Sequence, residues 1–98
     1  MKKNLHVIKI PHLNYRVVVE EKRKDDHPEC YAYTEHVVEG ETRLCIPFPI
    51  GKKRTAHLVH ELIHVLQWIA RDRELRFLFE EEHLAYLADW LFDEIMKL

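Results

Sequence analysis

Between Arg54 and Arg71 the chain carries a stretch whose polar and apolar residues can be reconciled in few ways. Leu58, Leu62, Val65, Leu66 and Ile69 recur at helical spacing, and Val59 and Ile63 add a second apolar strip. That spacing predicts a helix largely enclosed by the rest of the protein. Inside it sits His60-Glu61-Leu62-Ile63-His64. His60 and His64 are four residues apart, so one helical turn brings both imidazoles to one side, where each can offer a nitrogen to a single ion. Unpaired polar groups in such surroundings are expensive. The triplet therefore requires partners, and a metal ion shared by the two histidines would supply one. The competing explanation is a pair of exposed or hydrogen-bonded helix histidines, with Glu61 paired to a nearby Lys or Arg.

The arrangement is H-E-x-x-H, in which two histidines hold zinc and the glutamate serves as general base. A zinc site needs at least one further protein ligand, and a catalytic one keeps a position for water. Glu80, Glu81, Glu82 and His83 open the last helical stretch, after a connection long enough for the chain to reverse. Glu82 shares a helical face with Ala85, Tyr86 and Asp89, and Ala85 would allow the two helices to approach closely. Glu82 is the expected third ligand, with Glu81 and then His83 as rivals. His57, one turn before His60, reads as peripheral. Tyr86 and Asp89 are candidates to hold the free ring nitrogens of the histidines.

Ninety-eight residues make one domain, here taken as 1–98, and 47% apolar residues make it globular. A formal charge of -2 gives no reason to expect a nucleic-acid partner. Cys30 and Cys45 have neither C-x-x-C spacing nor company, and read as free thiols. The basic start Met1-Lys2-Lys3-Asn4 is followed by His6, Lys9, Pro11 and His12, which break any signal-peptide core. No run approaches the length needed to cross a bilayer, so the expectation is a cytoplasmic protein without a membrane partner.

Leu5–Ile10 and Tyr15–Glu20 read as two short strands separated by Pro11-His12-Leu13-Asn14, and Val17-Val18-Val19 has the composition of a strand buried on both faces. Glu21–Glu29, with seven charged residues, reads as a solvated loop or hairpin arm. Cys30–Val38 and Glu41–Ile46 resume strand character around a Glu39-Gly40 turn, and Pro47 and Pro49 end the second arm. Asp72–Arg76 reads as a charged helix end or loop, after which Leu75, Phe77, Leu78 and Phe79 are available to plug the core. Leu84, Leu87, Ala88, Leu91 and Ile95 form the apolar stripe of a last helix over Glu80–Leu98. The whole predicts an α+β fold: a small antiparallel or mixed β-sheet of three to four strands, then a buried metal-binding helix and a C-terminal helix.

The chain resembles the zincin metallopeptidases, and within them the gluzincins, whose third ligand is a glutamate. The resemblance rests on His60-Glu61-Leu62-Ile63-His64 and on Glu81-Glu82-His83-Leu84-Ala85-Tyr86, which begins seventeen residues after His64. It covers about half the chain, from the last strand onward. The metzincin form is absent, because Gln67 and Ala70 stand three and six positions after His64 with no glycine or third histidine beyond. Small single-domain zincins with this Glu-x-x-Ala element are similar in size, and several resemble phage-encoded or bacterial proteins. The likeness implies a minimal zincin-like domain binding Zn2+ through His60, His64 and Glu82, with Glu61 as base and proton shuttle acting on a peptide or protein substrate. Where the family often has a small acidic or amide residue four positions after the ligand glutamate, this chain has Tyr86. It also lacks the extra subdomain that walls a deep substrate cleft.

Tyr31, Tyr33, His36 and Tyr86 are the candidates to stabilise a developing oxyanion. The 30–46 hairpin offers an edge on which an extended peptide could pair. His6 and His12 are candidates to occlude a metal site from an N-terminal segment folded over it. The alternative function is a non-catalytic zinc-stabilised structural or interaction domain, its site closed by His57, Cys45 or His83.

Overall fold

The computed structural model describes residues 3–50, 55–74 and 81–98; for 81–84 it describes the backbone alone. Strand β1 (Leu5–Ile10) turns through a single 3-10 turn at Pro11–Leu13 into β2 (Tyr15–Glu21). The charged segment that follows leads to a hairpin of β3 (Tyr33–Val38) and β4 (Glu41–Ile46). Helices α1 (Thr55–Asp72) and α2 (Glu81–Met96) complete the order. The sheet runs β1-β2-β4-β3. β1 pairs antiparallel with β2, β3 antiparallel with β4, and the central β2 and β4 run parallel. It is therefore a mixed four-stranded sheet followed by two helices.

Strand alternation puts Ile8, Ile10, Tyr15, Val17, Val19, Leu44 and Ile46 into one core with the buried stripes of both helices. Those stripes are Leu58, Leu62, Val65, Leu66 and Ile69 from α1, and Leu87, Leu91 and Ile95 from α2. Each large side chain removed from water in this way contributes about 1.5–3 kcal/mol. Val18, whose side chain alternates to the opposite face, is buried as well, as expected for a strand with neighbours on both sides. Gly40 at the hairpin turn has φ +89°, which an L side chain rarely adopts. Cys30 and Cys45 are free thiols. Among the described residues, no helix is long and apolar enough to cross a membrane.

Two readings need adjusting, and a third lies outside the described residues. β3 starts at Tyr33 rather than Cys30, because a turn with Cys30 N–H donating to His27 C=O occupies the chain before it. Leu5–Ile10 is a strand at the sheet edge opposite β3, and His6 stacks on Phe48, so this segment is no flap over α1. The core-plugging role of Leu75 and Phe77–Phe79 concerns residues outside those described. Asp72 ends α1, as its place in the charged 72–76 run suggests, and is 8% exposed in its side chain.

Asp72 Oδ2 accepts from the Tyr15 hydroxyl (3.0 Å), from His36 Nε2 (2.7 Å) and from the Gly40 N–H (3.0 Å). Since Tyr15 donates to the carboxylate, Thr42 Oγ1, 2.5 Å away, donates to Tyr15. Burial pushes the Tyr15 phenol up to about 12, against the smaller opposing effect of its bond with Thr42. Next to this group, His36 stacks on Trp68 at 4.2 Å. Arg73 donates to the carbonyls of Leu13 and Asn14, both at 2.7 Å, and to Glu39. The C-terminal end of α1 is thus tied to β2, to β3 and to both turns at that end of the sheet.

Burial works against the charge on Asp72, but the bonds from His36, Gly40 and Tyr15 outweigh it and hold the carboxyl below its usual range. A lowered folded value means that the stabilisation is present above the unfolded pKa, about 3.9, and is lost as pH falls through the folded one. Asp72→Ala should cost about 2–4 kcal/mol by stranding three donors. In urea unfolding the gap between parent and variant should be full at about pH 5 and shrink below about pH 4. A gap that widens toward acid would refute this account.

Candidate metal centre

α1 lies against the sheet with one side inward, and its polar triplet divides between the two sides. His60 and His64 are on the outer side, with the His60 side chain 68% exposed. Glu61 turns inward and is only 11% exposed in its side chain. A carboxylate buried to that degree requires hydrogen-bond partners, and β3 provides one. Thr34 Oγ1 donates to Glu61 Oε1 at 2.9 Å and lies 3.3 Å from the Glu61 carbonyl oxygen. Among the described residues no Lys or Arg pairs with Glu61; Lys52, Lys53, Arg54 and Arg76 lie outside them.

The two imidazoles face one another edge to face, ring centres 4.9 Å apart at 74°. Their Nε2 atoms are 3.3 Å apart. Two nitrogens bound at 2.0–2.1 Å to one tetrahedral zinc stand about 3.3–3.4 Å from each other, so the pair fits two corners of such a site. That separation is also a hydrogen-bonding distance between the two rings, and Glu61 Oε2 lies 3.9 Å from His60 Nε2. Among the described residues there is no group of three His, Cys, Asp or Glu able to hold a metal. The side chains of Glu81, Glu82 and His83, the expected sources of the third ligand, lie outside the described residues.

A cleft of about 510 Å³ opens beside His60 and Glu61, walled by Cys30, Tyr31 and Ala32 from the approach to β3 and by His57 from α1. Tyr31 and His57 are in ring contact at 4.7 Å, which gives His57 a place in the wall. The other oxyanion candidates are engaged elsewhere. Tyr33 interacts with Cys45, a contact that with burial raises its phenol above the ordinary range. His36 is bound to Asp72, and Tyr86 is 70% exposed on α2. Neither Tyr86 nor Asp89 has a hydrogen bond to His60 or His64 among the described residues. Cys45 is buried on the sheet face away from α1, between its register partners Glu20 and Tyr33.

Thr34 carries no signal of its own in the sequence, being one polar residue in a strand with no recognisable motif. The strand period does place Thr34 and His36 on one face, and their partners, Glu61 and Asp72, are the two carboxylates that α1 turns inward. No protein-family model, curated protein or solved structure matches this chain.

If this pair is a metal site, the chain should take up one equivalent of Zn2+. His60→Ala and His64→Ala should each weaken zinc binding by roughly a hundredfold or more, while His57→Ala leaves it within about threefold. Both ligand histidines are exposed, so the metal-free variants should unfold within about 0.5 kcal/mol of the parent. Parental zinc affinity in either ligand variant, measured by chelator competition, would rule the pair out.

Proposed function

We propose that the chain is a zinc-dependent metallopeptidase in which His60 and His64 bind the metal together with Glu82 and Glu61 acts as general base. The observation that carries this reading is the pairing of two exposed imidazoles, their Nε2 atoms 3.3 Å apart, with a buried, hydrogen-bonded carboxylate next to them. Bound zinc would supply Lewis-acid polarisation of the scissile carbonyl and would acidify a water. Glu61 takes the proton of the attacking water through Oε2, the oxygen on the side of His60, and delivers it to the departing amine. Tyr31, which lines the cleft with His60 and Glu61, is the best supported of the oxyanion donors. The substrate is an extended peptide lying along the outer edge of β3, giving main-chain affinity with little sequence preference.

The rival reading, an inert zinc-stabilised domain, needs a closed coordination shell. Two of the residues that might close it are engaged elsewhere: Cys45 on the opposite face of the sheet, and His57 in the contact with Tyr31. The exposure of His60 favours an open, working site.

The test combines zinc content with cleavage of a denatured protein. Glu61→Gln should keep one zinc and lose cleavage by about 10²–10⁴-fold, and Glu82→Gln should lose zinc where Glu81→Gln keeps it. Undiminished turnover in Glu61→Gln, or an absence of cleavage in the zinc-loaded parent, would overturn the enzyme reading. Zinc loss in Glu81→Gln with retention in Glu82→Gln would reassign the third ligand.

A further inference from the structure

Glu61 directly follows a metal-binding histidine in the proposed site, and that position creates a problem for a base. Its Oε2 lies 3.9 Å from His60 Nε2, while two ligands of one tetrahedral zinc are separated by about 3.3–3.4 Å. A change of side-chain torsion would bring the carboxylate onto the metal. As a ligand it would displace the water that it is meant to deprotonate.

We infer that Thr34 is a positioning residue that holds Glu61 out of the metal's coordination shell and so reserves it as base; this rests on the peptidase reading above. The Thr34 hydroxyl donates to Oε1 at 2.9 Å, leaving Oε2 as the oxygen facing the histidines. A hydroxyl bound to a carboxylate is among the stronger hydrogen bonds. The donor itself is well anchored. Thr34 is in register with Leu44, fully buried in β4, and its β-branched side chain is restricted at χ1. The pull toward the metal is therefore opposed by a hydrogen bond to a fixed strand.

The test uses Thr34→Val, which keeps the shape and removes the donor, and Thr34→Ser, which restores the donor with less bulk. In Thr34→Val, zinc binding by chelator competition should tighten by about tenfold as Glu61 becomes a ligand. The visible absorption of the Co2+-loaded protein should shift with the changed donor set. Turnover of a labelled, denatured protein substrate should fall by about 10–100-fold in kcat with KM within about twofold. Thr34→Ser should return all three toward the parent. In a Glu61→Gln background, Thr34→Val should no longer tighten zinc binding, because the incoming ligand is gone. Parental affinity and cobalt spectrum in a folded Thr34→Val protein, or equal tightening in the Glu61→Gln background, would overturn the inference. Should Thr34→Val fail to fold, Thr34→Ala removes the same donor: a shifted cobalt spectrum with tighter zinc binding in the folded Thr34→Ala protein would support the inference, and the parental spectrum and affinity would refute it. A parent that binds zinc but cleaves nothing would defeat the peptidase reading alone, since the metal measurements still report on Thr34.

Discussion

Two carboxylates on the inner side of one helix set the terms on which this molecule is built. Glu61 and Asp72 are eleven residues apart on α1, three helical turns, and therefore lie on the same face. Burying an ionised carboxylate without partners costs several kcal/mol, so the helix can lie on the sheet only where donors await both. β3 meets that demand twice, with the Thr34 hydroxyl for Glu61 and the His36 imidazole for Asp72. Apolar packing between α1 and β4 supplies the driving force. It is non-directional, however, and would tolerate a helix shifted or rotated slightly along the sheet. The two polar anchors remove that freedom, and with it any freedom in where His60 and His64 face.

The division of the polar triplet follows from the same constraint. In a helix, residues 60 and 61 differ by about a hundred degrees in direction, so turning Glu61 inward toward Thr34 sends His60 outward. His64, one turn on, goes with it. The nitrogens then meet outside the core at 3.3 Å, in reach of solvent, while the carboxylate beside them stays largely out of water. A rotation of α1 that exposed Glu61 would bury the imidazoles. The open histidine pair and the enclosed carboxylate are one geometric fact.

Much of the fold was legible because it is local. Strand-favouring composition marked Leu5–Ile10 and Tyr15–Glu20, Gly40 marked the hairpin turn, and the 3.6-residue stripe from Leu58 to Ile69 marked α1. The four-stranded mixed sheet was legible only as a class, since the parallel pairing of β2 with β4 joins segments that carry no mark of each other. Asp72 was legible as the end of the helix but not as a buried hub, because Tyr15, His36 and Gly40, its partners, are all distant in sequence. Thr34 was invisible for the same reason: a hydroxyl gains meaning from the carboxylate that reaches it. The histidine pair and Glu61 were readable because a helix fixes their relation within five residues.

The sheet has two edge strands, and their relation to α1 separates them. β1 is the far edge, and His6 there is occupied with Phe48. β3 is the near edge, and Thr34 has its backbone on that edge and its hydroxyl on Glu61. Whatever pairs along β3 therefore acts on the strand that orients the carboxylate, without any intervening element to transmit the effect. A chain pairing along β1 would meet the sheet on the side away from β3 and its link to Glu61. The surface at His60 and His64 is thus flanked by the strand that holds the Glu61 carboxylate.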